Sequence, residues 1–435
     1  MTPGMRPLEK TLATLRHHLL SRLFTSLSAA LGLMQALVAH WVAVLLDLPA
    51  ARRGLVGWCL LALALAAGNA SLVRLLVHAR RRDAIGRAVR RYVELGVATL
   101  LVGTAVAVAW LVLEPVALAL RAASVLDARS SAWLFRTSSG AFVGLVALAV
   151  AWSFTVGQAR VARTRVRIEL PGLAHHLAGL RVVQISDLHI GNGLEGGRLA
   201  RMVERVNAAE PDLVAITGDL FDRDPAHLPE AAQLGRLRAR HGVFAILGNH
   251  DASIGSDRVA AALAHHAPGV RLLRDELVRL ALPAPLYVAG LEDPGRRWYE
   301  RGLRYTALEE LAARWPGDGP VLLLAHQPEV FDHAAGLGFP LVLAGHTHGG
   351  QLALPTPGGH WNLARIVTPL TRGLYRKGGC TLYVNRGLGV GGPSMRFHCS
   401  REIATIELAA AAALETLLEN VDQPEAAEAH LLVRA

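Results

Sequence analysis

The sequence predicts an α/β domain that follows a region of transmembrane helices. Four long apolar stretches occupy the first third of the 435 residues, and each approaches the ~20 residues that a helix needs to cross a bilayer. After residue 160, short apolar runs alternate with helix-like segments, a pattern typical of sheets covered by helices. Polar residues follow directly after five of these runs, so the sequence also predicts a binding site where the strands end.

The four apolar stretches carry almost no charge, and arginine is concentrated between and beside them. They run over residues 24–48, 54–77, 92–113 and 138–157. A large soluble helical core rarely shows such lengths without interior charge, so we predict four transmembrane helices. No Asp, Glu or Lys lies at mid-membrane depth, which favours an anchor over a transporter.

Charge is unequally divided along the chain. Residues 1–167 contain 20 Lys and Arg but 6 Asp and Glu, a net of +14, whereas residues 168–435 contain 25 and 29, a net of −4. The positive-inside rule, applied to the arginine-rich connections, predicts that the N-terminus and the α/β domain face the cytoplasm from a plasma or inner membrane. The acidic balance of the second part argues against a nucleic acid as partner, because phosphate backbones demand clustered Lys and Arg.

Strands and helices alternate after residue 160. Residues 161–170 alternate between apolar and basic side chains, which predicts an edge strand beside the membrane. We predict further strands over residues 181–186, 211–219, 242–251, 320–326, 340–346, 382–389 and 403–408, and helices over residues 199–210, 257–267 and 306–315. The predicted organisation is a transmembrane anchor over 1–158, a linker with the edge strand over 159–179, an α/β domain over 180–408, and an Ala-rich helix with a polar tail over 409–435.

Cysteine is scarce in this chain. Its three cysteines, Cys59, Cys380 and Cys399, are too few for a disulfide framework. Cys380 and Cys399 could pair in an oxidising compartment, but the prediction is two free thiols.

Side chains that bind metals follow five of the predicted strands. They are Asp187 and His189, then Asp219, Asn249, His326, and finally His346 and His348. These seven oxygen and nitrogen donors include no cysteine, which suits Mn, Fe, Zn or Mg rather than a thiolate site. Their number suits two divalent ions that share one carboxylate. Such a pair holds a bridging hydroxide and clamps the attacking and leaving oxygens of a displacement at phosphorus.

The motifs around these donors follow a recognisable order. The chain reads ISDLHIG, NAAEPDLVAITGDL, LGNHD, LAHQPE, AGHTHGGQ and LYVNRGLG. It resembles the calcineurin-like metallophosphoesterase superfamily in its YkuE/YaeI-like branch. With its apolar N-terminal stretches, it is also similar to the transmembrane proteins with a metallophosphoesterase domain. The resemblance covers roughly residues 180–408 and implies a four-layer α/β/β/α metallophosphoesterase sandwich, preceded here by the four transmembrane helices.

The resemblance also implies a role for each donor. It implies one ion held by Asp187, His189 and His348, a second ion held by Asn249, His326 and His346, and a bridge formed by Asp219. It further implies that His250 is catalytic, either as general acid to the leaving group or as a partner of the developing oxyanion. The alternative role for His250 is a hydrogen bond that orients a neighbouring group.

Four further residues are candidates for support behind the metal ligands. Asp222 stands where some members of the superfamily have Tyr. Asp251 either fixes a histidine tautomer or is a solvated turn residue. Gln351 and Arg386 lie in predicted loops that could approach a phosphate, although a surface salt bridge is the commoner fate of such an arginine.

Together these features predict a membrane-anchored, metal-dependent phosphoesterase that hydrolyses a phosphoester or pyrophosphate bond. An anchor favours a lipid-linked phosphate substrate, because a domain held at the bilayer meets such substrates at high local concentration. The basic connections would also attract anionic lipids. Two alternatives stay open: a catalytically silent metal site that binds partners, and a phosphodiesterase of soluble nucleotides.

Overall fold

The computed structural model describes residues 26–49, 54–78, 83–293, 306–357 and 359–411. The chain divides into two compact units, Met1–Trp152 and Ser153–Ala435. The basic N-terminus (residues 1–25) and the predicted C-terminal tail (residues 412–435) lie outside the described residues.

Long apolar helices make up the described part of the first unit. They are α1 (Ser26–Leu45), α2 (Leu55–His78), α3 (Asp83–Val108), α4 (Glu114–Ala122) and α5 (Ala128–Trp152), with a π-helical turn (Ala109–Leu113) between α3 and α4. Four runs are long and apolar enough to cross a membrane: Ser26–Leu45, Leu55–Val73, Ala88–Ala122 and Ala128–Gly157. The prediction of four apolar N-terminal helices is confirmed.

The third and fourth runs are longer than the sequence predicts. The third continues past Leu113 because the backbone stays helical through the π-helical turn and into α4, which tolerates Pro115 near its start. The fourth begins at Ala128 rather than at residue 138. Of the two arginines that lower the hydropathy of its first turns, Arg136 lies 2.8 Å from Asp47. Hydropathy therefore marks the apolar part of each helix and not its ends.

A small cluster is buried among α1, α3, the π-helical turn and α5. It contains Trp41, Ala105, Val106, Ala109 and Val143. Nε1 of Trp41 donates to Oγ of Ser139 at 3.1 Å, and the Tyr92 hydroxyl donates to Oδ1 of Asn69 at 3.0 Å. Both hydrogen bonds join polar side chains of different helices.

Strands dominate the described part of the second unit. The strands are β1 (Val161–Leu170), β2 (Arg181–Ile185), β3 (Leu213–Thr217), β4 (Val243–Ile246), β5 (Val270–Leu272), β6 (Glu276–Arg279), β7 (Tyr287–Gly290), β8 (Val321–Leu324), β9 (Leu341–Ala344), β10 (Ala353–Thr356), β11 (Gly359–Asn362), β12 (Gly373–Lys377), β13 (Cys380–Val384) and β14 (Arg401–Ala410). The helices are α6 (Gly196–Asn207), α7 (Ala231–Leu234), α8 (Asn249–Ile254), α9 (Ser256–His266), α10 (Thr306–Arg314) and α11 (Phe331–Gly336). The first sheet has the order β1-β14-β2-β3-β4-β5, the second has the order β12-β13-β9-β8-β7-β6, and β10 and β11 form a separate hairpin.

The two large sheets pack face to face, and each carries helices on its outer face. Alternate residues of a strand point to opposite faces. Val182 of β2 accordingly lies in the core between the sheets, whereas Val183 packs with side chains of α6, α7 and α9. Leu322 and Leu323 of β8 divide in the same way between the core and the layer that contains α10 and α11. The result is a four-layer α/β/β/α sandwich, which confirms the predicted fold class.

Three details of the second unit bear on the sequence predictions. β1 pairs in parallel with β14 along its whole length at the edge of the first sheet, so the predicted linker segment contributes a strand to the sandwich. Ala409 and Ala410 pair with Glu169 and Leu170 in this ladder instead of beginning an Ala-rich helix. The cysteines are free thiols, as predicted: Cys59, Cys380 and Cys399.

Candidate dinuclear metal centre

The predicted motifs lie at the carboxyl ends of β2, β3, β4, β8 and β9. The first three strands are parallel neighbours in the first sheet, and β8 and β9 are parallel neighbours in the second. Carboxyl ends of parallel strands meet at one edge of a sheet, so each sheet presents its motifs together. Because the two sheets pack face to face, the motifs of both converge on one site.

One group of donors comprises Asp187, His189 and His348. Nε2 of His189 lies 3.0 Å from Nε2 of His348, which lies 3.5 Å from Oδ1 of Asp187. All three residues are buried, and their ligand atoms lie within 4.8 Å of one another. His189 and His348 are 159 residues apart in sequence, so only the fold brings them together.

His326 is the centre of a second group. Its Nε2 lies 3.2 Å from Oδ1 of Asn249, 3.2 Å from Nδ1 of His346, and 3.4 Å from Oδ2 of Asp219. The same Asp219 oxygen lies 3.5 Å from Nε2 of His189. Asp219 therefore stands between the two groups, and the structure brings all seven predicted donors into one cluster.

The backbone of this cluster is strained. Five of the seven donors have φ in the left-handed region: Asp187 (50°), His189 (45°), Asp219 (50°), His346 (70°) and His348 (52°). A non-glycine residue held there costs about 1–3 kcal/mol and persists only where its surroundings impose the conformation, typically at functional sites. The strained residues are thus residues that the sequence predicts as metal ligands.

Two glycines allow the donors to approach one another. A Cβ added at Gly345 would overlap Oγ of Ser186, and one added at Gly248 would overlap Oδ1 of Asp219. Gly345 directly precedes His346, and Gly248 directly precedes Asn249. Each glycine therefore fixes the position of a donor in the second group against the loops after β2 and β3.

The chemistry of the cluster fits divalent cations. It combines carboxylate, amide and imidazole donors and no thiolate, a set that Mn, Fe, Zn and Mg accept. Nε2 of His189 and Nε2 of His348 lie 3.0 Å apart in the buried cluster, and imidazole nitrogens gathered in this way can share one cation.

Protonation of the metal-free cluster is also informative. Burial favours the neutral imidazole of His326, but Asp219 and Asp187 outweigh it and hold the pKa of His326 well above its ordinary value. Burial and the neighbouring His326 lower the pKa of His346 to about 3, so that ring is neutral. Metal ligands bind in their deprotonated form. The cluster therefore holds at least one proton that a cation would displace.

Comparisons with known proteins point to the same chemistry. A sequence profile of calcineurin-like phosphoesterases matches residues 180–350. The uncharacterized metallophosphoesterase YkuE of Bacillus subtilis is 31% identical over 248 residues, which cover 54% of this chain and 81% of that protein. The chain belongs to the calcineurin-like phosphoesterase family.

Two further relatives of this chain have informative names. A transmembrane protein with metallophosphoesterase domain from Danio rerio is 34% identical over 255 residues, which cover 56% of this chain and 56% of that protein. The chain thus spans little more than half the length of this relative. UDP-2,3-diacylglucosamine pyrophosphatase LpxG of Chlamydia trachomatis is 28% identical over 297 residues, which cover 55% of this chain and 87% of that protein.

His250 lies beside the cluster of candidate metal ligands. Its backbone N–H donates to Oδ1 of Asp219 at 2.8 Å, and its Nδ1 lies 3.0 Å from Oδ1 of Asp222. The same Asp222 oxygen lies 3.6 Å from Nδ1 of His189. Burial alone would raise the pKa of Asp222, but its interactions with the two histidines outweigh burial and hold that pKa below the usual range. Asp222 is therefore an ionised carboxylate that orients the His250 ring.

Asp251 is fully buried, and its carboxylate accepts hydrogen bonds from three backbone N–H groups. Its Oδ1 accepts the N–H of Phe221 at 3.0 Å, and its Oδ2 accepts the N–H groups of Leu220 at 3.0 Å and Gly248 at 2.9 Å. The structure supports neither predicted alternative, a fixed histidine tautomer or a solvated turn. The carboxylate instead ties the first turn of α8, which carries Asn249, to the loop after β3.

The two residues predicted to approach a phosphate have other partners. Nε2 of Gln351 donates to the carbonyl of Gly391 at 2.8 Å. Nη2 of Arg386 donates to Oε1 of Glu402 at 3.0 Å and to Oγ1 of Thr164 at 3.1 Å. Because Glu402 is buried, this is an interior ion pair that joins the loop after β13 to β14. It is therefore not the surface salt bridge that was the alternative for this arginine.

Arg396 is a structural support that the sequence prediction missed. Its side chain is fully buried. Its guanidinium donates to four carbonyls, those of Arg386, Gly387, Gly389 and Cys399. A Cβ added at Gly387 would lie 2.8 Å from the Cβ of Asp187, so Arg396 holds a loop that packs on the first donor group. An isolated arginine is ordinarily exposed, and no pattern around this one predicts its burial.

Proposed function

We propose that this chain is a membrane-anchored phosphoesterase that uses two divalent metal ions. The observation that best supports it is the position of Asp219, one oxygen of which lies 3.5 Å from His189 and 3.4 Å from His326, the imidazoles of two separate donor groups. Residues 1–158 would form the anchor. Residues 180–408, completed by β1, would form the catalytic domain.

The proposed roles of the donors follow their grouping. One ion would be held by Asp187, His189 and His348, and the other by Asn249, His326 and His346, with Asp219 between them. Two ions of Mn, Fe, Zn or Mg bound there would polarise the phosphoryl oxygens and lower the pKa of an attacking water. The metal identity is left to experiment.

The chain itself would supply the proton for the leaving group. Asp222 holds Nδ1 of His250 at 3.0 Å, which leaves Nε2 to face the substrate. A positioned histidine donating from Nε2 to the leaving oxygen typically contributes 10²–10⁴-fold to the rate. The contact between the His250 backbone and Asp219 fixes this ring relative to the donors.

A lipid-linked phosphoester or pyrophosphate is the substrate class that we favour. Four helices that could span a membrane support an enzyme held at a bilayer, and LpxG, a relative over more than half of this chain, is named for a diacylated nucleotide substrate. The net charge of −4 over residues 168–435 disfavours nucleic acids. The arginine-rich connections favour a cytoplasmic catalytic domain on a plasma or inner membrane, which a reporter fused after Ala435 would test.

Hydrolysis by the full-length protein tests the proposed function. We expect Mn²⁺-stimulated cleavage of bis(p-nitrophenyl) phosphate by the purified chain. Asp219→Asn should lower this activity by more than the 10–100-fold that is typical when a group behind a metal ligand is lost. Asp257→Asn is the matched control, because the side chain of Asp257 is 93% exposed in α9. It should leave the rate unchanged.

The same experiment separates the enzyme from the alternatives. A wild-type protein that binds Mn²⁺ but cleaves neither soluble nor lipid-linked phosphoesters would be the silent scaffold. One that cleaves soluble nucleotide diesters as fast as lipid-linked substrates would contradict the preference for lipid. An Asp219→Asn variant as active as the control would contradict the dinuclear site itself.

A further inference from the structure

The second unit exposes apolar side chains mainly in one segment, residues 353–367. This segment comprises β10, β11 and the turn that follows them. Among the described residues after residue 152, six large hydrophobic side chains are exposed, and five of them belong to this segment: Leu354 (52%), Trp361 (44%), Leu363 (54%), Ile366 (75%) and Val367 (66%). Single exposed apolar residues need no explanation, but a concentration of them marks an interaction surface.

Hydrogen bonds of one buried polar residue, Asn362, form the base of the segment and fix its conformation. Leu354 and Trp361 are direct partners in the β10–β11 ladder, so their side chains share one face. Asn362, at the end of β11, is fully buried. Its Nδ2 donates to Oγ1 of Thr371 at 3.3 Å, and its Oδ1 accepts the N–H of Arg365 at 3.2 Å. Because these bonds fix the base, the apolar side chains stay at the surface instead of folding onto the sandwich.

This base packs against the loop that carries two of the metal donors. A Cβ added at Gly350 would lie 2.5 Å from Oδ1 of Asn362. Oγ1 of Thr347, between His346 and His348, donates to the carbonyl of Thr371 at 2.6 Å. Whatever covers the segment therefore lies beside the rim of the metal centre.

The stretch of sequence that contains the segment carries charge of one sign. Residues 333–401 contain six Arg and one Lys and no Asp or Glu, in a part of the chain that is otherwise acidic. Arg386, Arg396 and Arg401 are engaged inside the fold. Arg365 and Arg376 are exposed, and Arg365 lies between Leu363 and Ile366. Arginine and tryptophan interleaved with aliphatic side chains are typical of a segment that lies in the interface of an anionic membrane.

The chain also keeps a bilayer within reach of this unit. Gly157 ends the fourth candidate span, and β1 begins at Val161. An extended chain covers at most ~3.6 Å per residue, so the first residue of β1 lies within roughly 15 Å of the end of that span. A membrane is thus the apolar partner at highest local concentration.

We propose that residues 353–367 dock into the headgroup and upper acyl region of a bilayer that contains anionic phospholipid. The docked segment would place the metal centre beside the membrane surface, where a lipid-linked substrate is drawn in headgroup first. The docking rests on the membrane anchoring proposed above, but not on catalysis. It therefore can be tested without an activity measurement.

Depth-dependent fluorescence tests the docking directly. In the full-length chain with Cys59→Ala, a single Ile366→Cys carries a nitrobenzoxadiazole fluorophore, and Arg258→Cys, at an exposed position in α9, is the matched control. The remaining thiols, Cys380 and Cys399, are buried. Reconstituted into vesicles of phosphatidylcholine and phosphatidylglycerol, the label at 366 should show a blue-shifted emission and quenching by doxyl-labelled lipid. The label at 258 should show neither.

Other outcomes overturn the proposal. Equal quenching at positions 366 and 258 would exclude docking into lipid. A blue shift without lipid quenching, together with a 366–366 cross-link between two chains, would show that a second copy covers the segment. Quenching at 366 in a protein that cleaves no phosphoester would support docking and contradict the proposed enzyme, so the two failures are distinguishable.

A kinetic measurement adds a second test. Trp361→Ser with Ile366→Ser should lower the rate on a vesicle-embedded phosphodiester, relative to a soluble one, by about tenfold, because transferring one such side chain from water is worth at least that factor in affinity. An unchanged ratio of the two rates would contradict the docking.

Discussion

Two neighbouring regions depart in opposite ways from the usual rule that polar side chains are exposed and apolar ones are buried. They are the loops that carry the metal donors and the segment 353–367. In the donor loops, Asp187 and His189 are fully buried. In the neighbouring segment, Ile366 and Val367 are 75% and 66% exposed. Buried charge and exposed apolar surface both cost free energy that a protein optimised only for stability would avoid. The two departures therefore coincide with the proposed metal centre and with the proposed docking segment.

The two regions also differ in how the backbone supports them. The donor loops depend on left-handed residues such as His346 and on glycines such as Gly345, which a side chain would displace. The apolar segment depends on one buried amide, that of Asn362, and on an ordinary hairpin. We therefore expect the donor loops to tolerate little change and the segment to tolerate substitutions that alter only its polarity.

The largest effect is expected for His250→Gln. If Nε2 of His250 protonates the leaving group, this substitution should lower kcat by about 10²–10⁴-fold on a substrate with an alkoxide leaving group. The loss should be much smaller with p-nitrophenolate, which leaves without a proton. Measuring kcat on both substrates distinguishes the general acid from the oxyanion partner, because the latter predicts the same loss on each.

Asp222→Asn tests whether Asp222 acts by orienting His250. It removes the ionised partner of His250 Nδ1 but leaves Nε2 in place. We expect a loss in the same direction and smaller than that of His250→Gln. If Asp222→Asn also abolished Mn²⁺ binding, Asp222 would act through the metal centre, and its assignment to His250 would be wrong.

Much of this organisation could be predicted from the sequence. Apolar runs such as Val321–Leu324 and Leu341–Ala344 identify the strands, and donors such as His326 and His346 follow directly after them. Since parallel strands end at one sheet edge, local pattern was enough to bring these donors together. The four-layer arrangement, by contrast, came from resemblance and not from periodicity.

The affinity for Mn²⁺ should depend on pH, because the metal displaces a proton from His326. Asp219 and Asp187 hold the pKa of His326 well above its ordinary value against the opposing effect of burial, so the metal-free ring is protonated near neutral pH. Lowering the pH keeps that proton in place, and the apparent affinity for Mn²⁺ should fall by about tenfold per pH unit for each proton displaced. His346, with a pKa of about 3, should add nothing to this dependence.

Calorimetric titration in two buffers of different ionisation enthalpy measures this proton release. At least one proton should be released per chain as the metal binds. An affinity for Mn²⁺ that does not change with pH would show that the cluster is already deprotonated. It would contradict the prediction that metal binding displaces a proton from His326.

Gly345→Ala tests the close approach of the two sheets at the site. The added Cβ would overlap Oγ of Ser186, and overpacking of this kind costs about 1–3 kcal/mol. We expect a lower melting temperature and a loss of the stabilisation by Mn²⁺. Gly336→Ala is the matched control, because a Cβ in that helix meets nothing within 4 Å. Equal melting temperatures for the two variants would show that the loop adapts without cost.

Asp251 was predicted as a support, but its partners and the role of Arg396 could not be predicted, and the reason is physical. Asp251 binds three backbone N–H groups from two different loops, and Arg396 binds carbonyls of residues that no pattern connects with it. Such contacts depend on tertiary geometry, whereas hydrophobic period and motif report only local structure. The exposed segment was missed for the same reason, since apolar side chains in a hairpin do not reveal whether another layer covers them.

Asp251→Asn should have the smallest effect of this series. An amide keeps one oxygen as acceptor and turns its NH₂ group towards backbone donors, so at least one buried N–H among those of Leu220, Phe221 and Gly248 loses its partner. Leaving such a group unsatisfied costs about 1–3 kcal/mol, and we expect the lower part of that range because the side chain keeps its shape. The exposed Asp257→Asn is again the control. If Asp251→Asn lowers the melting temperature and weakens Mn²⁺ binding together, then the start of α8 couples stability to the position of Asn249. A fall in stability alone would mean that Asn249 holds its place without this carboxylate.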